Sequence, residues 1–298
     1  MKWTLLLASV ALLGACTPKN GFVEALPMED HQSVIWNEDT REDIGAFDQD
    51  GQLAQSTALF IRDYRLKKDA NGDFNFEARP LSSAYPICKD EKFLDQNVLG
   101  HCSGVLIGPR QVLTAGHCVP EEKLCTGSFV TFGHTQIKAM DLKLTGDEVY
   151  ACKRIIKLEY TSTRDYAIIE LDRDVTQAQP VKIGRADVLQ ENEPVLSFSY
   201  PLGLPLKRDE GSVFQNSAGG FYLRVRADTF AGSSGSPLFN SKGELVGILS
   251  SGTEDFDEDE VRKIQEEKKP GACINFKRCT DSNCFGERYL KTEGIEFP

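Results

Sequence analysis

Three short segments hold the residue types needed to break an acyl bond: Thr114-Ala115-Gly116-His117-Cys118, Arg164-Asp165-Tyr166-Ala167-Ile168 and Gly232-Ser233-Ser234-Gly235-Ser236-Pro237. A serine hydroxyl is a weak nucleophile at its free pKa and attacks a carbonyl only when a neighbouring base takes its proton. His117 is the candidate base, because imidazole titrates near neutrality. A buried carboxylate on its far nitrogen fixes the tautomer and stabilises the imidazolium, and Asp165, at the head of an alternating strand, is the candidate for that role. Ser234 is the candidate nucleophile. It sits in a turn of small residues where the N–H groups of Gly232 and Ser234 can converge on one oxygen, and a single donor of this kind is worth about 3–4 kcal/mol to a transition state. Taken singly, each segment has a plainer reading: a structural His, an Asp that starts a strand, a flexible Gly-Ser loop. The set of three points to hydrolysis.

Such side chains need rigid elements behind them. The chain has 298 residues, 40% of them hydrophobic, which supplies one large domain or two ordinary ones with a sizeable core. From about residue 53 onward, short apolar runs are punctuated by Gly, Pro, Asn and Asp. Ala58-Leu59-Phe60-Ile61, Gly104-Val105-Leu106-Ile107, Phe129-Val130-Thr131-Phe132, Ala167-Ile168-Ile169, Val195-Leu196-Ser197-Phe198 and Leu245-Val246-Gly247-Ile248-Leu249 are the clearest. Strands at this spacing, without long helical periodicity, predict an all-β sandwich or barrel. Asp172 to Ala186, with few strand formers, reads as a linker between two halves, and Asp255 to Lys269 as a solvated, helix-compatible insertion ended by Pro270-Gly271. No fixed-period repeat is present. The 34 Lys plus Arg against 45 Asp plus Glu give a net charge of −11, which argues against nucleic acid as a partner and for attraction of cationic ones.

In order and spacing, the three segments, with Cys102-Ser103-Gly104-Val105-Leu106-Ile107 before the first, resemble the His, Asp and Ser motifs of the chymotrypsin-like (trypsin-fold) serine proteases over roughly residues 55–290. The wording around Ser236 is most similar to the bacterial V8-like, glutamyl-endopeptidase branch. The resemblance implies two antiparallel six-stranded β-barrels, an N-terminal one over about 46–175 and a C-terminal one over about 176–298. It implies a serine endopeptidase that works through an acyl-enzyme, with catalytic His117, Asp165 and Ser234 and an oxyanion hole at Gly232 and Ser234. Cys102 and Cys118 match the disulfide that braces the histidine loop, and Cys125 with Cys152 is a further pairing to expect. Asp228, six residues before Ser234, stands where trypsin-like enzymes place the pocket carboxylate that selects Arg or Lys at P1. The same resemblance implies that Ser250, Ser251 and Gly252 form the edge that pairs with substrate backbone. Leu249 occupies the position where V8-like enzymes carry a substrate-binding His, which speaks against a glutamate preference. Ser233 replaces the Asp of zymogen-activated relatives, and no Ile-Val-Gly-Gly-like activation site lies upstream. The alternative function is a catalytically silent surface adhesion or binding lipoprotein on the same fold.

The N-terminus reads as an address. Lys2, the apolar run Leu5 to Leu13, and Leu13-Gly14-Ala15-Cys16 resemble a lipoprotein signal peptide over residues 1–16, with Cys16 as the lipidated residue. Residues 17–45 then read as a tether or pro-segment, in which Val34-Ile35-Trp36-Asn37-Glu38-Asp39-Thr40-Arg41 loosely resembles a V8-like mature start. Nine cysteines less Cys16 leave eight, an even number that suits disulfides in an oxidising compartment but permits 105 connectivities. Zinc at the pairs His101-Cys102 and His117-Cys118 is the competing reading, disfavoured because adjacent strand residues face opposite ways. The expected partners are therefore protein or peptide substrates and a membrane reached only through the lipid. Expected cofactors and metals are none, and the expected location is the bacterial cell envelope, the outer membrane if Gram-negative, or secretion after processing.

Overall fold

The apolar runs close into two barrels. The computed structural model describes residues 35–45, 51–252, 255–267, 271–279 and 284–298, so the signal peptide, Cys16 and Val34 lie outside the described residues. In the first barrel β1 (Thr57–Arg62), β2 (Cys102–Gly108), β3 (Gln111–Thr114), β4 (Ser128–Phe132), β5 (Tyr150–Tyr160) and β6 (Asp165–Leu171) pair in the closed order β5-β6-β3-β2-β1-β4. In the second, β7 (Pro194–Ser199), β8 (Lys207–Asn216), β9 (Tyr222–Arg226), β10 (Pro237–Phe239), β11 (Leu245–Ser251) and β12 (Glu287–Lys291) run β7-β10-β11-β12-β9-β8, and β8 returns to β7. Every pairing within the two barrels is antiparallel. No strand occurs between Leu171 and Pro194, where the linker was expected.

Period-2 alternation explains why barrels form. Ala58 and Phe60 of β1 point into the first barrel beside Leu106, Val112 and Ile169, whereas Leu59 and Ile61 join a second cluster with Val105, Ile168, Phe198, Tyr200, Phe239 and Leu290. That second cluster draws on both barrels and glues them along their seam. All seven residues of β6 are buried, because one of its faces looks into its own barrel and the other at the neighbour.

Two segments carry more structure than their composition suggests. Residues 35–45, within the expected tether or pro-segment, are fixed in place: Ile35–Trp36 pairs in parallel with Arg278–Cys279, and Glu42–Asp43 adds to β8. The physical cause is Arg41, 1% exposed, which is ion-paired to Asp39 through Nε and Nη2 and stacked 3.8 Å over the Phe230 ring, so that its charge is paired and its plane covered while Nη1 has no hydrogen-bond partner among the described residues. The acidic insertion does form a helix, Glu258–Glu267, but Phe256 and Val261 are buried against Leu202, Phe230 and Phe276 and only the rest of its surface is solvated.

Four disulfides complete the framework: Cys88–Cys273, Cys102–Cys118, Cys125–Cys152 and Cys279–Cys284. Cys88–Cys273 spans 185 positions and fastens the insertion to the segment before β2. Closing so long a loop removes much unfolded-chain entropy, so Cys88→Ala combined with Cys273→Ala is expected to lower stability by about 2–5 kcal/mol. Urea unfolding of the purified proteins measures it, and an unchanged midpoint would show that the insertion is held by its other contacts.

Candidate active site

Chain direction brings the two predicted ends of the relay together. After β3 the backbone turns through the short 3-10 turn Gly116–Cys118, which presents His117 at the rim, and β6 begins with Asp165 directly alongside. His117 N–H donates to Asp165 Oδ1 at 2.9 Å, and His117 Nδ1 lies 2.7 Å from Asp165 Oδ2. Facing an acceptor-only carboxylate, Nδ1 carries the proton and Nε2 keeps its lone pair for a substrate-side hydrogen. Ser250 Oγ donates to the same Oδ2 at 2.9 Å, so Asp165, 7% exposed, has both oxygens engaged. His117 keeps a third of its surface open, with Tyr160 close to its ring. Cys102–Cys118 staples the turn from behind. Because both sulfurs are in that bond, the grouping of Cys102, His117 and Cys118 offers no thiolates to a metal.

Ser234 reaches this rim from the second barrel through its backbone. Its carbonyl accepts the N–H of Ser103 at 2.8 Å and lies 3.8 Å from Cys118 Sγ. Ser234 Oγ and His117 are not hydrogen-bonded to one another, a contact that such sites tighten when substrate binds. Gly232 (φ +91°) and Gly235 (φ +84°) take left-handed conformations on either side of it. A Cβ on Gly235 would collide with Ser103 O and Thr114 Oγ1, so only glycine lets the loop press against the first barrel. Among the described residues neither Gly232 N–H nor Ser234 N–H donates a hydrogen bond, which leaves two free donors beside the Ser234 hydroxyl. Ser233 is buried. Its Oγ accepts from Phe230 N–H and donates to Ser199 Oγ at 3.2 Å, so the loop is fixed by neutral bonds in place of an ion pair.

Ser103 is the residue that sequence reasoning passed over. Fully buried on β2, it donates through Oγ to Gly232 O at 2.8 Å, accepts Tyr200 N–H at 3.0 Å, and holds Ser234 through its N–H. Its signal was the polar residue in an otherwise apolar strand start, Cys102-Ser103-Gly104-Val105.

Asp228, the expected pocket carboxylate, is 2% exposed. Its Oδ1 accepts Trp36 N–H at 2.8 Å and its Oδ2 accepts Thr40 N–H at 2.7 Å. Thr40 Oγ1 lies 3.0 Å from Asp228 Oδ2 and 2.8 Å from Asp209 Oδ1, and Asp228 N–H donates to Asp209 Oδ2. One hydroxyl has one hydrogen, so both contacts are satisfied only if a carboxyl supplies the second proton. Burial, with Asp228 beside it, accordingly pushes Asp209 up to about 8, and burial raises Asp228 as well.

The chain matches, over residues 102–248, the family model described as a trypsin-like peptidase domain, a span that holds the His–Asp pair of the first barrel and the glycine-flanked serine of the second. It is 30% identical over 181 residues to exfoliative toxin A of Staphylococcus aureus, covering 55% of this chain and 63% of the toxin. It is 28% identical over 133 residues to a probable serine protease of Lysobacter enzymogenes, covering 45% of this chain and 20% of that protein. The chain thus spans less than two thirds of the length of either relative. Among solved structures, the VesB protease of Vibrio cholerae superposes with a TM-score of 0.50 at 14% identity, over 86% of this chain and 64% of that one, a likeness of fold.

The Asp209 proton makes stability depend on pH. A carboxyl raised from its ordinary value of 3.8 to about 8 in the fold contributes stability that is complete below the unfolded pKa and is lost as pH rises through about 8. Urea midpoints are expected to fall across that window in the wild type and to fall less in Asp209→Asn. Equal slopes in both proteins would place the proton on another group.

Proposed function

We propose that the protein is a serine endopeptidase in which Ser234, His117 and Asp165 form the catalytic triad. The observation that carries the reading is the Asp165-anchored His117, with Nδ1 held at 2.7 Å, facing a serine loop in which the N–H groups of Gly232 and Ser234 make no hydrogen bond among the described residues. Ser234 Oγ attacks the peptide carbonyl while His117 Nε2 takes its proton, and Asp165 stabilises the imidazolium. The N–H groups of Gly232 and Ser234 receive the oxyanion. His117 then gives the proton to the leaving amine, and a water molecule, deprotonated by the same nitrogen, releases the acyl group from Ser234. The substrate backbone pairs with the edge that runs from Ser250 to Gly252.

Three further assignments belong to this reading. A cationic P1 residue suits a pocket region rich in buried carboxylates and poor in acceptors for an acidic side chain, since Leu249 is apolar and 2% exposed. The net charge of −11 favours approach of basic substrates. Export and lipid attachment at Cys16, placing the enzyme in the bacterial cell envelope, are supported by the N-terminal sequence and by the pairing of the eight cysteines other than Cys16 in four disulfides.

A fluorophosphonate is expected to label the wild type on Ser234 and to leave Ser234→Ala unlabelled. Peptide hydrolysis should fall by roughly 10⁴-fold or more in Ser234→Ala and by roughly 10⁴-fold in Asp165→Asn, where His117 loses its fixed tautomer. A folded wild type that neither reacts nor cleaves would make the binding lipoprotein the better reading.

A further inference from the structure

We infer that Asp255, at the head of the acidic insertion, is a positioning residue for the oxyanion hole: it holds the peptide groups ahead of Gly232 so that the Gly232 N–H faces the scissile carbonyl. The inference rests on the endopeptidase reading above. Asp255 is 8% exposed, and both its carboxylate oxygens accept the N–H of Ala231, Oδ2 at 2.9 Å and Oδ1 at 3.1 Å. A carboxylate holds an amide more firmly than a neutral acceptor does. The carbonyl of the same residue, Ala231, accepts the N–H of Leu202. In a trans peptide the C=O and the N–H that follows it point in opposite directions, so turning Ala231 O toward Leu202 turns the Gly232 N–H away from it. That N–H donates to nothing among the described residues. A Cβ on Gly232 would lie 2.7 Å from Tyr200 O and 3.2 Å from Leu202 N, which shows how closely this peptide is seated on residues 200–202. The direction of the oxyanion donor is therefore set by two bonds on Ala231, and Asp255 makes one of them.

The insertion keeps this carboxylate still. Lys277 N–H donates to Asp255 O at 3.0 Å, and Phe256, the next residue, packs on Tyr85 with ring centroids 5.4 Å apart. Cys88–Cys273, with the bond from Cys88 N–H to Ile274 O, ties the later part of the same excursion to the segment before β2. The other side chains that seat the serine loop, Ser103 and Ser233, do so through neutral hydroxyls. Beside Ala231 lies a cavity of about 350 Å³, whose wall includes Tyr85, Leu202, Asp255 and Val261 and whose rim carries the exposed Arg262 and Gln265. Without the carboxylate, water entering from that side can satisfy the Ala231 N–H, and the amide then keeps a hydrogen bond but loses its fixed direction. Removing Asp255 is expected to cost alignment rather than folding.

The test takes one peptide that the wild type cleaves and measures kcat, KM and inhibition by the aldehyde of the same sequence in the wild type, Asp255→Ala and Asp255→Asn, with unfolding midpoints alongside. The aldehyde carbon gains a bond from Ser234 Oγ, its C=O pair moves onto the oxygen in the hole, and the hydroxyl proton passes to His117, so aldehyde affinity reads the hole itself. Losing an oxyanion donor outright costs about 10²–10³ in kcat, and a misaligned donor costs less. Asp255→Ala should lower kcat and kcat/KM together by roughly 10- to 100-fold, weaken the aldehyde by a similar factor, and leave KM within about threefold. Asp255→Asn keeps one neutral acceptor and should lose roughly 3- to 10-fold with the same split. A KM that rises while kcat holds, or a midpoint that falls while kcat and aldehyde affinity hold, would overturn the assignment. Should Asp255→Ala not fold, Asp255→Asn carries the test, and wild-type kcat and aldehyde affinity in that variant count against it. A wild type that neither cleaves nor reacts with a fluorophosphonate removes the endopeptidase reading itself, whereas an active wild type matched by Asp255→Ala removes only this inference.

Discussion

The site lies where the two barrels meet, and within their seam Ser103 is the residue that ties the serine loop to the first barrel. Asp165 and His117 belong to the first barrel and Ser234 to the second, so no amount of order within either barrel fixes their separation. Ser103 does so with three hydrogen bonds, to Ser234 O, Gly232 O and Tyr200 N–H, all in a buried seam. Each contributes only about 1 kcal/mol net to stability, but leaving any of these buried groups unpaired costs about 1–3 kcal/mol. The asymmetry makes the docked geometry much better than any nearby one. The same contact explains Gly235, whose missing Cβ is what permits the approach, and the staple Cys102–Cys118, which begins one residue before Ser103 and ends one after His117.

Behind the serine loop the problem is electrostatic. Asp209, Asp228, Asp255 and Glu287 are each less than a tenth exposed, and burying carboxylates without cations is expensive. The fold handles the rear pair by enclosing it: residues 36–40 supply backbone N–H groups and the Thr40 hydroxyl, and Asp209 keeps its proton. The strap stays there because it is anchored on both sides of that contact, by Ile35–Trp36 against Arg278–Cys279 and by Glu42–Asp43 against β8, where the buried Lys207 bonds Asp43, Gln96 and the Pro205 carbonyl. Segments far apart in sequence thus meet on one small acidic volume.

How much of this was legible depends on the range of the interaction. Barrel strands announce themselves by local alternation, and His117, Asp165 and Ser234 by their immediate neighbours, because a tight turn, a strand head and a Gly-Ser turn are short-range features. Ser103 carried a weaker signal, a single polar residue entering an apolar strand. It becomes meaningful only when Ser234 arrives opposite. The packing of residues 35–45 is hidden for the same reason. Their polar composition is that of a tether, and nothing local shows that Arg41 will lie between Asp39 and the Phe230 ring, or that Trp36 and Thr40 will find Asp228 some 190 positions away.

Asp228 illustrates why a residue's position in a motif does not fix its chemistry. A carboxylate selects a cation only if its lone pairs face the ligand, and an oxygen that already accepts a backbone N–H has less to give. Once the strap occupies Asp228, its charge remains but its directionality is spent on Trp36 and Thr40.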